Sequence, residues 1–211
     1  MSDLTVEAEK SRAAKIALRS RLLTARRLMP PAARLEAAAH LQDQVLAFVR
    51  REHPPTIAAY VPVGPEPGGA DLPHVLAAAG VRVLLPVLLP DNDLDWAVFT
   101  GSLAPGPRGL SEPDGERLGV DGIRSASLIL VPALAVDRAG RRMGRGGGSY
   151  DRAVARAYAP SRTDAPSPTD AVGSLVVALL HDGELIDSVP AEPHDQPVRG
   201  VITPTNGFVR F

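Results

Sequence analysis

The sequence of 211 residues contains no cysteine, which excludes disulfides, thiolate chemistry and cysteine-ligated zinc sites. It also lacks a long apolar run, because its most apolar stretch, residues 81–89, is far shorter than the roughly 18 to 20 residues of a membrane span. The first ten residues carry acids where a signal peptide has basic and then apolar residues. We therefore expect a cytoplasmic protein with no membrane partner.

An excess of charge of either sign is also missing. The chain has 23 basic and 24 acidic residues, so its net charge of −1 gives no indication of a nucleic-acid partner. A hydrophobic content of 45% is enough for one substantial core. We predict a single domain over residues 1–211 that acts as a monomer, with residues 160–170 forming a flexible loop because of their proline-rich and polar composition.

Helical and strand patterns alternate along most of the chain. Helices are predicted over residues 3–29, 31–51, 71–79 and 150–159, and a loop over residues 105–113. Strands are predicted over residues 56–61, 81–85, 94–99, 128–131 (continuing through 134 and 136), 175–180, 184–189 and 198–202. This alternation is typical of parallel βαβ units, so the predicted fold class is α/β, a three-layer αβα arrangement around a mostly parallel, doubly wound sheet. In such sheets ligands bind at the carboxyl ends of the strands, where the loops after Val61 and Val136 must lie.

The segment between Val131 and Arg152 carries the most specific signal. Its loop contains four closely spaced glycines and three arginines, namely Gly144, Gly146, Gly147, Gly148, Arg141, Arg142 and Arg145. Because glycine permits positive φ and has no side chain, successive N–H groups can converge on one anion. A helix that starts at Ser149 or Tyr150 adds unpaired N–H groups to the same place, and the arginines add permanent charge suited to phosphate oxygens. The segment therefore predicts a polyphosphate site.

Two common phosphate loops do not match this segment. A Walker A loop needs a lysine, which is missing here, and Ser149 stands where a dinucleotide fingerprint starting at Gly144 has its third glycine. A flexible surface loop with solvated arginines is the alternative interpretation. The strand before the loop and the helix after it favour anion binding.

A basic stripe lies on the first predicted helix. Lys15, Arg19, Leu22 and Arg26 are spaced at i, i+4, i+7 and i+11, which places them on one face. A solvated charged face is the ordinary interpretation of such a stripe. Lys15 is nevertheless one of only two lysines beside 21 arginines, so its presence is unusual in this chain.

The glycine-rich segment resembles the signature of a known family. Residues 132–137, Gly140 and residues 143–152 together are similar to the signature of 5-formyltetrahydrofolate cyclo-ligases, also called methenyltetrahydrofolate synthetases. Residues 15–19 match the Lys-x-x-Leu-Arg of the first helix in that family, and residues 60–62 with Glu66 match its Tyr-x-Pro strand end and folate-contacting glutamate. The chain departs from the family pattern by carrying Val136, Met143 and Ser149 where Phe, Leu and Tyr are common, and Pro67-Gly68-Gly69 where Val-Asp-Thr is common.

The resemblance implies a set of site residues. For ATP it implies Lys15, Arg19, Arg142, Gly144, Arg145, Gly146, Gly147, Gly148 and Tyr150, with Arg145 as the catalytic residue. For the folate substrate it implies Val61, Glu66, Gly147, Gly148 and Ser149, and for Mg²⁺ it implies Asp151 and, through a weaker match, Asp195. A pterin presents adjacent N–H donors that a carboxylate can accept, and Mg²⁺ is commonly held by one or two carboxylates together with substrate phosphates.

Three further residues carry groups that can cap a loop or bind a metal. Asp137 is predicted to cap the loop that it begins. His181 and His194 share no ligand spacing with other candidates, so a zinc site is not supported.

The resemblance implies an ATP-dependent ligase that converts 5-formyltetrahydrofolate to 5,10-methenyltetrahydrofolate, with ADP and phosphate as products. A phosphosugar-binding sensor module and a phosphosugar isomerase on a similar sheet are the alternatives. A sensor of this kind would carry a short DNA-reading helical turn before the sheet, whereas the N-terminal helix here is single and stopped by proline. An isomerase would need a carboxylate or histidine base and no nucleotide.

Overall fold

The computed structural model describes residues 3–159, 173–192 and 195–211 of the chain. The loop predicted over residues 160–170 and the candidate His194 lie outside the described residues. Four α-helices are present in this part of the chain: α1 (Asp3–Leu28), α2 (Pro31–Glu52), α3 (Leu72–Ala78) and α4 (Ser149–Tyr158). The first two are separated at Pro30-Pro31, because proline cannot continue a helix but suits its first position.

Twelve strands are present in the described residues. Seven of them form the main sheet: β1 (Thr56–Ala58), β2 (Arg82–Leu88), β3 (Leu94–Val98), β6 (Leu128–Pro132), β9 (Leu175–Leu179), β11 (Gly200–Thr203) and β12 (Gly207–Arg210). The other five form two small sheets: β4 (Leu103–Pro105), β5 (Ser111–Pro113), β7 (Ala135–Asp137), β8 (Arg142–Met143) and β10 (Leu185–Ile186).

The main sheet has the strand order β12-β11-β9-β6-β1-β2-β3. Its five inner strands are parallel, with register pairs such as Ile57 with Val83 and Leu130 with Val177. The two outermost strands are antiparallel to their neighbours. The strand order runs outward from β1 in both directions, which is the arrangement of a doubly wound sheet, and the prediction of a mostly parallel α/β fold is confirmed.

Helices cover both faces of the main sheet. On one face, α2 and α3 bury a core that includes Leu41, Phe48 and Leu76. On the other face, α4 and a 3-10 helix (Val120–Ser125) bury a core that includes Trp96 and Ala153. The molecule therefore has the predicted three layers, and helices bury the apolar surface of both sheet faces.

Helix α1 packs on a small sheet at the carboxyl end of the main sheet. This small sheet has the order β10-β7-β8 and buries Leu134 and Met143 against Leu22 of α1. The contact brings the basic stripe of α1 next to the strands that lead into the glycine-rich segment. No helix among the described residues combines the length and the apolar character of a membrane span.

Several predicted elements need correction. The segment 105–113, predicted as a loop, contains the end of β4, a 3-10 turn over Pro107–Gly109 and the whole of β5, so it forms most of a β-hairpin. The strand predicted over 184–189 is only the short β10, which pairs with β7 outside the main sheet, and the strand predicted over 56–61 is shortened to β1. The terminal strand β12 and the separation of β7 from β6 were not predicted, because apolar runs do not show where a strand changes sheets.

Candidate active site

The glycine loop, residues 144–148, connects β8 to α4. Gly146 and Gly148 have φ values of +102° and +69°, a region in which side chains are rarely accommodated. Gly148 directly precedes the first turn of α4, so the glycine loop lies at the N-terminus of that helix, which is the positive end of its dipole. The helix predicted after the glycine loop is confirmed, whereas the strand directly before the loop, β8, was not predicted.

Two cavities lie on either side of the glycine loop. The first, which we call the apolar cavity, has a volume of about 240 Å³ and is walled by side chains that include Val61, Leu88, Leu94, Leu110 and Leu134. The second, which we call the charged cavity, has a volume of about 330 Å³ and is lined by Lys15, Arg19, Asp151, Glu192 and Asp195 among others. Both cavities are lined by Arg142, Gly144, Gly146, Gly148 and Asp151. The glycine loop is thus a shared wall, and a group held in one cavity faces a group held in the other.

Lys15 extends from α1 into the charged cavity. Its Nζ donates to Asp195 Oδ2 at 2.6 Å and to Glu192 Oε2 at 2.9 Å, and 12% of its side chain is exposed. Partial burial lowers the pKa of Lys15, but hydrogen bonds and attraction from Asp195 and Glu192 outweigh that effect and raise the pKa. The ammonium therefore stays charged at neutral pH and joins α1 to the segment that carries Asp195.

Arg19 lies one helical turn after Lys15 and reaches the glycine loop directly. Its Nε donates to the Gly144 carbonyl oxygen at 3.2 Å. Its guanidinium lies 3.5 Å from the position that a Cβ on Gly146 would occupy. The first two members of the predicted basic stripe therefore line the charged cavity, as a polyphosphate site requires.

Arg142 is buried between the two cavities. Its Nη1 donates to the Pro132 carbonyl oxygen at 3.1 Å and its Nη2 to Asp151 Oδ1 at 2.7 Å. Its buried Nε has no hydrogen-bond partner within the described part of the chain. A permanently charged guanidinium with one free donor, buried in the wall that both cavities share, can interact with an anion there.

Glu66 and Arg145 meet at the apolar cavity. Arg145 Nε lies 3.3 Å from Glu66 Oε1, and the other carboxylate oxygen, Oε2, accepts from the Val63 N–H at 2.9 Å. Only 10% of the Glu66 side chain is exposed, against 51% for Arg145. Arg145 therefore lines the apolar cavity together with Glu66, whereas Lys15 and Arg19 line the charged cavity.

The first turn of α4 is fixed to the turn between β2 and β3. Ser149 Oγ and Arg152 Nη2 each donate to the Asn92 carbonyl oxygen at 2.6 Å. Asn92 itself has a φ of +64°. Ser149 also lines the apolar cavity, and its hydroxyl holds the start of α4 in place.

Tyr150 follows Ser149 and lines the apolar cavity as well. Burial, with a further contribution from the charge of Glu66, raises the pKa of its phenol. The phenol is therefore protonated throughout the physiological pH range and can only be a neutral hydrogen-bonding group. The prediction from resemblance assigned Tyr150 to ATP, whereas its position is on the apolar side.

The two predicted magnesium ligands both line the charged cavity. Asp151 Oδ1 accepts from Arg142 and from the Gln196 N–H at 3.3 Å, and Asp195 Oδ2 accepts from Lys15 and from the Glu192 N–H at 2.7 Å. Within the ranges 3–159, 173–192 and 195–211, no group of three or more His, Cys, Asp or Glu side chains could hold a metal on its own. This donor set fits a Mg²⁺ ion shared with bound phosphates, and it does not fit a metal cage formed by the protein alone.

Two further residues behave as the sequence indicated. The Asp137 carboxylate accepts from the N–H groups of Ala139 and Arg141, both at 3.0 Å, which confirms that it caps its own loop. His181 is buried, and its Nε2 is 3.1 Å from the Pro65 carbonyl oxygen, so it contacts backbone and not a cluster of metal ligands.

Two parts of the site were not predicted from the sequence. Glu192 was given no role, although this residue shares Lys15 with Asp195. The wall formed by Leu110 and Glu112 was missed, because their hairpin was predicted as a loop. No local sequence signal identifies either contact, since Lys15 and Glu192 are joined only by the tertiary fold.

The chain is similar to several known proteins of one family. The model of the 5-formyltetrahydrofolate cyclo-ligase family matches residues 11–204. A 5-formyltetrahydrofolate cyclo-ligase of Mycolicibacterium smegmatis is 40% identical over 201 residues, which cover 92% of this chain and 96% of that protein. A protein of the same name from Escherichia coli K12 is 25% identical over 184 residues, which cover 85% of this chain and 94% of that protein.

Two solved structures share the fold. The NMR structure of Aquifex aeolicus 5,10-methenyltetrahydrofolate synthetase has a TM-score of 0.73 at 22% identity and covers 93% of this chain and 92% of that chain. A 5,10-methenyltetrahydrofolate synthetase from Mycoplasma pneumoniae has a TM-score of 0.64 at 18% identity and covers 90% and 98% of the two chains. Taken together with the sequence matches, these findings show that the chain belongs to the 5-formyltetrahydrofolate cyclo-ligase family.

Proposed function

We propose that this protein uses ATP to convert 5-formyltetrahydrofolate to 5,10-methenyltetrahydrofolate, with release of ADP and phosphate through a phosphorylated formyl intermediate. The observation that carries the proposal is the pair of cavities that share the glycine loop as a wall. One cavity has the apolar walls that an aromatic ring system needs, and the other has the cations that a triphosphate needs. The family membership supports the same pair of substrates.

The charged cavity is the proposed site of the ATP phosphates. Lys15 and Arg19 would contact them from α1, and the backbone N–H groups of residues 144–148 would contact them from the opposite side. Arg142, in the wall between the two cavities, would donate to the phosphates through its unpaired Nε–H. Arrays of such donors bind phosphate oxygens because charge-assisted hydrogen bonds are about twice as strong as neutral ones.

The apolar cavity is the proposed site of the folate. Val61 and the other apolar side chains would pack on the pterin ring, while the Glu66 carboxylate would accept from its adjacent N–H groups. Ser149, Gly147 and Gly148 would contact the ligand along the shared wall. Three carboxylates line this cavity, those of Glu66, Glu112 and Asp151. Asp151 is paired with Arg142 and Glu112 accepts from the Leu88 N–H, so Glu66 is the proposed acceptor for the ring, and it favours the ring orientation that supplies its hydrogen-bond donors.

The chemistry follows from the difficulty of removing a formyl oxygen at neutral pH. The formyl oxygen attacks the γ-phosphorus of ATP, the bond from that phosphorus to its bridging oxygen breaks, and ADP departs. N10 then bonds to the formyl carbon and loses its proton to solvent, and the carbon–oxygen bond breaks with phosphate as the leaving group. Phosphorylation thus converts an oxygen that cannot leave into one that can.

The protein has little covalent chemistry to perform in this scheme. Its contribution is to hold the formyl oxygen in line with the γ-phosphorus and to neutralise charge on the transferred group. Arg145 is the proposed catalytic residue because it belongs to the glycine loop between the two cavities, and its half-exposed guanidinium can turn toward the phosphoryl group. Asp151 and Asp195 would hold Mg²⁺, which neutralises phosphate charge when it is bound.

The deciding experiment combines the purified protein with 5-formyltetrahydrofolate, ATP and magnesium, and measures ADP together with the methenyl product. ADP that appears only when both substrates are present supports the ligase, and no ADP under those conditions overturns it. A sensor module would bind sugar phosphates without turnover, and an isomerase would convert them without ATP. The same assay therefore separates the three candidate functions when sugar phosphates are included.

Two variants test the assignment of the cavities. Arg19→Met should raise the KM for ATP at least tenfold and leave the KM for folate unchanged, and Glu66→Gln should do the reverse. Arg21→Met is the matched control for Arg19→Met, because Arg21 is an exposed arginine of the same helix and lines neither cavity. If both variants change the same KM, the two cavities do not hold separate substrates.

A further inference from the structure

A buried ion pair joins α1 to the carboxyl end of the main sheet. Arg26, the last member of the basic stripe, donates from Nε to Glu184 Oε1 and from Nη2 to Glu184 Oε2, both at 2.7 Å. Its Nη2 also donates to the Ala133 carbonyl oxygen at 2.5 Å. The two side chains are 3% and 7% exposed, and Arg26 and Ala133 both line the apolar cavity.

The ion pair continues into a histidine. Glu184 Oε2 accepts from the backbone N–H of His181 at 2.8 Å, which fixes the position of that residue. The His181 ring nitrogen Nε2 lies 3.1 Å from the Pro65 carbonyl oxygen. Because a carbonyl oxygen only accepts hydrogen bonds, Nε2 must carry the proton in this contact.

The residue after Pro65 is Glu66, the carboxylate of the apolar cavity. The carbonyl on its other side, that of Pro67, accepts from the buried Tyr60 hydroxyl at 2.7 Å. The backbone on both sides of Glu66 is therefore held by a buried side chain. The segment lies outside the strands, so these two hydrogen bonds position its backbone, and the Val63 N–H then holds the Glu66 carboxylate itself.

We propose that Arg26, Glu184 and His181 are positioning residues that hold the Glu66 carboxylate in place for the folate ring, an inference that rests on the proposed function. A purely stabilising role explains this arrangement poorly, because apolar side chains of similar volume stabilise a core as well as a buried ion pair does. Buried ionic groups instead fix geometry, because each hydrogen bond has a defined direction. The chain of contacts ends at a predicted ligand-binding carboxylate and begins on the helix that carries Lys15 and Arg19.

The test uses His181, because removing either member of the ion pair would leave a buried charge and endanger folding. His181→Leu removes the donor to Pro65, and His181→Gln keeps an N–H donor of similar reach. The KM for 5-formyltetrahydrofolate should rise about tenfold in His181→Leu and return to within about threefold of the parent value in His181→Gln. The KM for ATP should stay unchanged in both variants, a split that general loosening of the fold would not produce.

A double-mutant cycle shows whether His181 acts through Glu66. If it does, His181→Leu should change folate affinity by less than about twofold when it is introduced into Glu66→Ala, because coupled residues are not additive. A full tenfold effect in that background overturns the inference, as do equal effects of His181→Leu and His181→Gln or a parallel rise in both KM values. The parent enzyme is assayed first, so an inactive parent refutes the proposed function, whereas an active parent with unaffected His181 variants refutes only this inference.

Discussion

The positive φ of Gly146 allows a sharp test of the loop geometry. Gly146→Ala places a Cβ on a residue with φ +102°, although the space itself is open, since the nearest contact would be 3.5 Å from Arg19. An alanine in left-handed backbone conformations costs roughly 1 to 2 kcal/mol. For a protein of this size that loss corresponds to a fall in Tm of about 2 to 8 °C. The cost arises from backbone strain and not from a clash.

Gly147→Ala is the matched control for this variant. Gly147 has no positive φ, and a Cβ there would lie 3.6 Å from Ser149 Oγ, an ordinary contact distance. The alanine should leave Tm unchanged or raise it slightly, because it reduces the freedom of the unfolded chain. Scanning calorimetry compares the Tm of the two variants. The KM for ATP, measured from ADP release, shows whether the strained loop still binds phosphates. Equal Tm values and equal KM values for ATP in the two variants would refute the claim that the loop needs its left-handed backbone.

Three further predictions concern charged residues. Arg26→Met should lower the free energy of unfolding by about 3 to 5 kcal/mol, measured in urea, because it leaves the buried Glu184 carboxylate without its cationic partner. The double variant Arg26→Met/Glu184→Leu should recover most of that loss, and a single variant as stable as the parent would contradict this. Asp151→Asn should raise the magnesium concentration for half-maximal ADP release at least tenfold, and an unchanged titration would remove Asp151 as a ligand. Burial raises the pKa of Asp137, but hydrogen bonds from Val189, Arg141 and Ala139 outweigh it and lower the pKa, so the stability that this carboxylate provides is present above pH 4 and lost as pH falls through the lowered value. The stability difference between the parent and Asp137→Ala should therefore be constant from pH 6 to about pH 4 and shrink as the pH falls below about 4 in urea titrations, and a difference that stays constant below pH 4 would argue against the assignment.

The parts of the fold that the sequence predicted depend on local chemistry. Proline at positions 30 and 31 must end one helix and can begin the next, and the glycines before Ser149 must form a loop before α4. Apolar runs over 128–131 and 175–180 predicted the buried parallel strands in the sheet centre. These signals are contained in a few consecutive residues, so they can be read without the tertiary structure.

The parts that were missed depend on which segments meet. The connection between Leu88 and Leu94 is too short for a parallel crossover, so β3 must be antiparallel, but its apolar pattern alone does not show this. The change of sheet between Pro132 and Ala135 leaves no mark on the hydrophobic pattern, since both strands are buried. For the site, the glycine loop was identified from its own residues and the role of Lys15 from the resemblance, whereas the partner Glu192 is 177 positions away from Lys15 in the chain.

Helix α1 fixes the distance between its contacts with the two cavities. Lys15 at one end belongs to the charged cavity and Arg26 at the other to the apolar cavity, and at 1.5 Å per residue they are separated by roughly 16 Å along the axis. One residue inserted between them would turn one end by about 100° relative to the other, so only one of the two contacts could survive. The length of this segment is therefore under a stricter constraint than the identity of the exposed residues along it.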